Sequence, residues 1–305
     1  MARLNRRDVT TALRCGLFPF LAAMSLAGPI HAAQPWEDSI AAAIGRTGTE
    51  MPDGVYRVGL PRSDLHVTLD GVAVRPALAL GSWIAFRRMG HGNQVMAMGD
   101  LVLTDAEVNP VMTRLLDGGI EVTALHNHLL GGSPHTMYMH ISGHGDGATL
   151  AATLHAALAL SGTPLAATPP AAPAPLDLDT AAIDRALGHQ GRTNGGVYAF
   201  SIPRAERPRQ GGMAIPDAMG SAIAINFQPT GNGRAAIAGD LVLTASEVNP
   251  VLRSLRARGI AVTALHNHML DDRPRLFFMH FWAEGDAVIL ARGLAGGLAH
   301  VGRGR

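Results

Sequence analysis

The sequence predicts an α+β fold made of two tandem homologous repeats, each a mainly antiparallel sheet with helices, related by a pseudo-twofold. Three observations carry this. The block GDLVLTDAEVNPVMTRLLDGGIEVTALHNHLLGGSPHTMYMH (99–140) returns as GDLVLTASEVNPVLRSLRARGIAVTALHNHMLDDRPRLFFMH (239–280), with every position moved by 140. Self-similarity at a fixed offset decides the architecture before local propensity does. The halves also match upstream: Gly54-Val55-Tyr56 answers Gly196-Val197-Tyr198, and Pro61-Arg62 answers Pro203-Arg204. Finally, residues 161–178 (SGTPLAATPPAAPAPLDL) have the Pro/Ala composition of a semi-rigid linker between them.

A chain of 305 residues suits two domains at roughly 100–200 residues each. The boundaries read as 1–32 for a signal peptide, 33–160 for the first repeat and 179–300 for the second. Arg3, Arg6, Arg7 and Arg14 precede a short apolar stretch, 15–28, which ends in Pro29 and the small residue Ala32. That anatomy is a secretion signal, too short to span a bilayer, and it predicts a periplasmic or secreted protein that is not an integral membrane protein after cleavage. The pair Arg6-Arg7 raises twin-arginine export as the route.

Removing 1–32 leaves 21 arginines against 23 acidic residues, a formal charge of −2. There is no basic surplus to neutralise phosphates, so nucleic acid is not an expected partner. All 25 basic residues are arginine, which excludes a Schiff-base lysine and a phosphate-loop lysine. The single cysteine, Cys15, lies in the signal segment. Any metal site in the mature chain must therefore use nitrogen and oxygen ligands.

Each copy reads as helix, several strands, helix, two strands, helix. The opening helix is expected at Ser39–Ile44 and again at Thr180–Leu187. Strands follow near Val55–Gly59, Val67–Leu69, Ile84–Arg87 and Val95–Leu103, supported by alternation in Val67-Thr68-Leu69 and the apolar run Leu101-Val102-Leu103. Two starts compete for the next helix. Thr104 with Glu107, and Thr244 with Glu247, fit a capping box. Asn109 as N-cap with Pro110 as first helical residue suits both residue types better, because proline inside a helix costs about 3 kcal/mol. The second start is preferred, and it leaves Glu107 and Glu247 free for another role. Gly119 and Gly259 then close the helices.

Val122–His128 and Met137–Ser142 read as two strands of a hairpin centred near Ser133. Alternation puts His126 and His128 on one face, and the register sets His126 opposite His140. Directly paired β-carbons are about 5 Å apart, so three imidazoles converge. His266, His268 and His280 repeat the arrangement. Three histidines with an open position suit a divalent transition metal, zinc among them, and Asp100/Asp240, Glu107/Glu247 and Asp146/Asp286 recur as candidates for a fourth ligand or a ligand's partner. The competing reading makes each histidine pair a hydrogen-bonded part of the core. Asp100 after Gly99 is expected at a turn or strand end, Arg62 and Arg204 on the solvated surface, and His66, His91, His135, His144 and His300 at the surface.

At this point the blocks 99–140 and 239–280, with the continuation FWAEGDAVILARGL after His280, resemble the LppY/LpqO family of exported bacterial proteins. The resemblance covers nearly all of the mature chain. It implies an exported protein with a duplicated α+β domain and no assigned activity. Members named as lipoproteins carry an anchor cysteine after the signal; here Cys15 precedes the apolar stretch.

Three functions follow as expectations. The first is an exported metal-binding protein with an HxH…H set in each repeat, as separate sites or one shared cleft. The second is a metal-dependent hydrolase or lyase acting on envelope material, with Glu107 or Glu247 as general base to a metal-bound water. The third is a non-metal ligand-binding or interaction module, its ligand a small molecule or envelope material. Where the copies differ, Asp271-Asp272-Arg273-Pro274-Arg275 replaces Gly131-Gly132-Ser133-Pro134-His135. Arg273 and Arg275 are thus candidates to hold an anionic ligand beside the imidazoles.

Overall fold

The computed structural model describes residues 35–90, 92–166 and 176–302. The signal segment and the centre of the linker lie outside them. The described residues of both repeats lie in one compact unit.

The first repeat runs α1 (Pro35–Ile44), β1 (Thr49–Met51), β2 (Val55–Pro61), β3 (Thr68–Leu69), β4 (Val72–Ala73), α2 (Pro76–Ala79), β5 (Gly81–Arg88), β6 (Gln94–Thr104), α3 (Asp105–Asp117), β7 (Glu121–His126), β8 (Thr136–Asp146) and α4 (Gly147–Leu158). The second runs α5 (Thr180–Leu187), β9 (Arg192–Asn194), β10 (Val197–Ile202), β11 (Arg209–Gln210), β12 (Met213–Ala214), β13 (Ile223–Gly231), β14 (Arg234–Thr244), α6 (Ala245–Arg256), β15 (Ala261–His266), β16 (Asp272–Arg273), β17 (Leu276–Asp286) and α7 (Ala287–Leu298). Each repeat holds a six-stranded sheet, ordered β1-β2-β5-β6-β8-β7 and β15-β17-β14-β13-β10-β9, with antiparallel pairing throughout.

Alternation along the strands explains the layering. On β6, Leu101 and Leu103 face outward into a core with Ile40, Val111, Leu115 and Leu154 of the helices. Asp100 and Val102 face the other way, and Val102 packs with Tyr138 and with Ala236, Ala238 and Trp282 of the second repeat. The sheets therefore meet face to face with helices outside, a four-layer arrangement. Both faces of β6 and β14 are covered, which is why these strands read as apolar runs broken only at Gly99-Asp100 and Gly239-Asp240 in their middle. Between the sheets the repeats exchange arms. The β3–β4 arm lies on the second sheet, with Asp70 Oδ2 accepting from Trp282 Nε1 at 2.9 Å. Ile215 and Met219, which follow β12, pack on Val55, Ala85, Met96 and Met98 of the first sheet.

Three expectations need correction. The helices start at the capping box: Glu107 Oε2 accepts from Thr104 N at 2.8 Å, Glu247 Oε2 from Thr244 N at 2.7 Å, and Pro110 and Pro250 lie inside α3 and α6. The reciprocal cap and the buried arginine described below outweigh the proline's local cost. Next, Gly99-Asp100 sits in the middle of β6, with no turn. Finally, the Pro/Ala segment is partly packed. Gly162 N donates to Glu107 Oε1 at 2.7 Å, Thr163 is buried, and Leu176 and Leu178 lie against the second core. Gly119 and Gly259 do take the left-handed conformation after the helices, with φ of 77° and 73°.

Candidate metal centre

The hairpin strands bring the histidines together in a register two residues from the expected one. His126 pairs with Tyr138, and His140 with Ala124. In the second repeat His266 pairs with Phe278, and His280 with Ala264. The loop after His128 is held to β3 through Thr68 N to Ser133 O at 2.8 Å and Ser133 N to Thr68 O at 2.9 Å. That bridge ties the loop to a third strand, so its centre differs from that of a free hairpin. The shift moves partners by two residues, which preserves the face, so His126 and His140 still point inward. His128 lies beyond the end of β7, and its ring stacks on Tyr138 with centroids 3.5 Å apart.

The two trios form one cluster. His126 stacks on His266 with centroids 3.4 Å apart. His128 lies 3.5 Å from His280, and His140 lies 3.8 Å from His268. Within the trios, His126–His140 is 5.0 Å and His266–His280 is 4.9 Å. The near equality of these pairs expresses the pseudo-twofold, with the His126–His266 stack on its axis. Ligand atoms of His126, His128, His140 and His266 all lie within 4.8 Å of one another, as do those of His266, His268 and His280. These groups are placed where they could hold a metal ion.

Backbone contacts fix the tautomers. Imidazole Nδ1 lies 2.9 Å from a backbone oxygen in His266 (Asn267 O) and His280 (Gly239 O). An Nδ1–H donated to a carbonyl leaves Nε2 as the bare acceptor, the form that binds metals. The Nε2 atoms of His140, His266, His268 and His280 are buried with no hydrogen-bond partner, and so are Asp100 Oδ1 and Asp240 Oδ1. Nε2 of His268 approaches Asp240 Oδ2 to 3.2 Å, and the Nε2 atoms of His126 and His128 are 3.0 Å apart.

Burial dominates the electrostatics. It pushes His128, His140 and His268 well below the usual imidazole range, lowers His126 and His266, and takes His280 to about 4. All six rings are thus neutral at pH 7, with lone pairs available. Burial also raises Asp100 well above the carboxylate range, aided by the charge of Asp240 and opposed by Arg57. Asp240 is raised by burial too, against the pull of His280 and His266.

Glu107 and Glu247 are not brought to the cluster. Each is held by a buried arginine, a backbone N–H of its own helix start and the N–H of Gly162 or Gly302. Arg62 and Arg204, expected at the surface, are 1% and 6% exposed. A position next to proline carries no burial signal. Arg273 is exposed on β16, beside Arg209 of β11. Arg275 spends its guanidinium on Met269 O at 3.2 Å and Leu270 O at 2.9 Å, bracing the loop after His268. His66, His135, His144 and His300 are exposed as expected, while His91 lies outside the described residues. The site residues that the sequence left out are Arg57 and Trp83, which stack at 4.1 Å from guanidinium carbon to ring centroid beside Asp100.

The fold and the site together define a duplicated α+β protein with one histidine-rich centre between its repeats. The chain belongs to the family described as Domain of Unknown Function (DUF1259), which it matches twice, over residues 38–160 and 181–300. No curated protein matches it. Among solved structures it is similar to the trimeric bacterial microcompartment shell protein PduB at 13% identity, with 82% of this chain and 88% of that chain covered and a TM-score of 0.19. EtuB from Clostridium kluyveri is similar at 12% identity, with 83% and 90% covered and a TM-score of 0.20. Superposition at that level carries no argument about this chain. No helix among the described residues is long and apolar enough to cross a membrane.

Proposed function

We propose that this is an exported protein, of the LppY/LpqO type, that binds divalent transition metal at a single centre shared by its repeats. One observation carries the reading. Four imidazole Nε2 atoms are buried with no hydrogen-bond partner, and they belong to two histidine groups whose ligand atoms lie within 4.8 Å of one another. Each unsatisfied buried acceptor costs about 1–3 kcal/mol, and acceptors that face one another repel. A cation held within either group satisfies the nitrogens of that group. The spacing agrees, since two ligands at about 2.0–2.1 Å from one zinc ion sit about 3.0–3.4 Å apart. The pairs His126–His128 and His268–Asp240 meet that separation at 3.0 and 3.2 Å. Imidazole with carboxylate suits zinc among the first-row ions.

Elemental analysis of the purified mature protein tests this. At least one transition-metal ion per chain is expected. Absence of any such ion, together with unchanged thermal stability on adding zinc, overturns the reading. Recovery of the protein from the periplasm or medium of its host, shortened at the N-terminus, tests export.

A second reading, metal-assisted hydrolysis or elimination on a small-molecule or envelope ligand, draws on the half-buried state of His126, His128 and His266. Water reaching that side of the cluster supplies a metal-bound nucleophile. Glu107 and Glu247, engaged elsewhere, do not serve as its base. Loss of turnover in His268→Ala with the fold retained supports this reading, and unchanged turnover rejects it.

A further inference from the structure

The histidine cluster is symmetric in its rings but not in what surrounds them. Two histidines of the second repeat are hydrogen-bonded to backbone, His266 to Asn267 O and His280 to Gly239 O. None of the three in the first repeat makes such a bond, and Nδ1 of His126 is buried without a partner. The segment that carries His268 is also bolted across the repeat interface. Thr123 Oγ1 donates to His268 O at 2.6 Å, and Asn267 Nδ2 donates to Thr123 O at 3.1 Å and Met269 O at 2.9 Å. Arg275 holds Met269 O and Leu270 O from the other side. The counterparts do not return these bonds: Thr263 Oγ1 is buried without a partner, and His135, at the position of Arg275, pairs with Asp105.

The charges differ in the same direction. Asp240 lies 3.2 Å from His268 Nε2 and 3.9 Å from His280 Nε2. Asp100, its counterpart, has no histidine nitrogen within ion-pair distance among the described residues, and its opposing cation is Arg57. Arg57 stacks on Trp83, whose strand partner is Asp100. In the second repeat Ala199 and Ala224 stand where Arg57 and Trp83 stand in the first. The half-buried guanidinium of Arg57 thus stands on the Asp100 side and has no counterpart on the Asp240 side.

We infer that the two halves of the centre are unequal, and that Asp240, His266, His268 and His280 form the tight site while His126, His128 and His140 form a weaker one beside the fixed positive charge of Arg57. This rests on the proposed metal-binding function. A pre-organised donor set forfeits less ordering entropy on binding. The three-imidazole, one-carboxylate set has no fixed cation beside it, whereas on the other side the guanidinium of Arg57 repels a second ion.

Zinc titration of metal-free full-length mature protein, followed by calorimetry or by competition with a chromophoric chelator, tests the inference. The expected result is a first ion bound at least about tenfold more tightly than any second, the size of effect that changes around a metal's ligands produce. Asp240→Asn removes the tight phase, and His128→Ala leaves it within about twofold. Arg57→Met strengthens the weak phase and narrows the gap, a readout that needs no change to any ligand. Equal affinities overturn the inference, and so does a tight phase lost in His128→Ala but kept in Asp240→Asn. A wild-type protein that takes up no zinc at all overturns the proposed function itself, which keeps the two failures distinct. Circular dichroism confirms that each variant is folded before titration.

Discussion

The guanidinium of Arg62 meets the carboxylate of Glu107 in a two-pronged pair, Nη1–Oε2 at 2.8 Å and Nη2–Oε1 at 3.1 Å, with the arginine 1% exposed. Arg204 meets Glu247 in the same way at 2.8 and 3.2 Å. The free prongs bind Val102 O and Val242 O, each at 2.7 Å. Each pair thus ties the start of a helix, the end of a long strand and the segment that leaves the repeat at Gly162 or Gly302. Removing one partner strands the other in the interior, which typically costs about 3–5 kcal/mol. Arg204→Met is expected to lower unfolding stability by about that much, read from denaturant midpoints. An unchanged midpoint refutes the structural role.

The same glutamates give a pH signature. Burial alone would raise them, but hydrogen bonds from the arginine and two backbone N–H groups hold both below the usual range. A carboxyl whose folded value is depressed contributes stability that is complete above its unfolded value, about 4.3, and is lost as pH falls through the folded value. The imidazoles act earlier. Their folded values lie below the unfolded value of about 6.5, so the unfolded chain binds more protons between there and the His280 value of about 4. The raised Asp100 and Asp240 work against this, but six rings outnumber two carboxyls. Metal-free protein is expected to lose stability as pH drops below about 6.5, well before the glutamates titrate. A melting temperature flat from pH 7 to 4.5 contradicts neutral buried rings.

Metal should stabilise. An ion present at about 100 times its dissociation constant adds about 2.7 kcal/mol. Zinc is expected to raise the melting temperature of the wild type and to do far less for His268→Ala with His280→Ala. An equal rise in both places the ion elsewhere.

Gly239 is expected to tolerate no side chain. A β-carbon there would overlap Ala224 O and the ring of Phe281. The residue also supplies the carbonyl that orients His280, and it precedes Asp240. Gly239→Ala should both destabilise the protein and weaken zinc binding, whereas Gly259→Asn, at an open left-handed position, should do neither. Zinc affinity and stability measured side by side check this.

Much of the architecture was legible because duplication doubles every signal. The repeat offset, the opening helix Thr180–Leu187, the long central strands and the inward face of His126, His140, His266 and His280 all follow from periodicity and spacing. What failed depended on partners distant in sequence. The Asn109-Pro110 reading weighed only local cost, while the true start is held by Arg62, 45 residues away. The register missed because β3 grips the loop at Ser133. That the trios form one cluster was beyond local reading, since the stack of His126 on His266 joins positions 140 apart. Arg57 escaped notice because it has no counterpart in the second copy.

The exchanged arms carry an evolutionary consequence. Either half produced alone would leave its inner sheet face, with Met96 and Met98 or with Ala236 and Trp282, exposed to water. An unduplicated ancestor would have had to work as a self-paired dimer, and such a dimer can encode only matching halves. Joining the two in one polypeptide let a single half acquire the guanidinium–indole stack while the other kept alanines, giving natural selection a handle on each ligand set that an identical pair never offers.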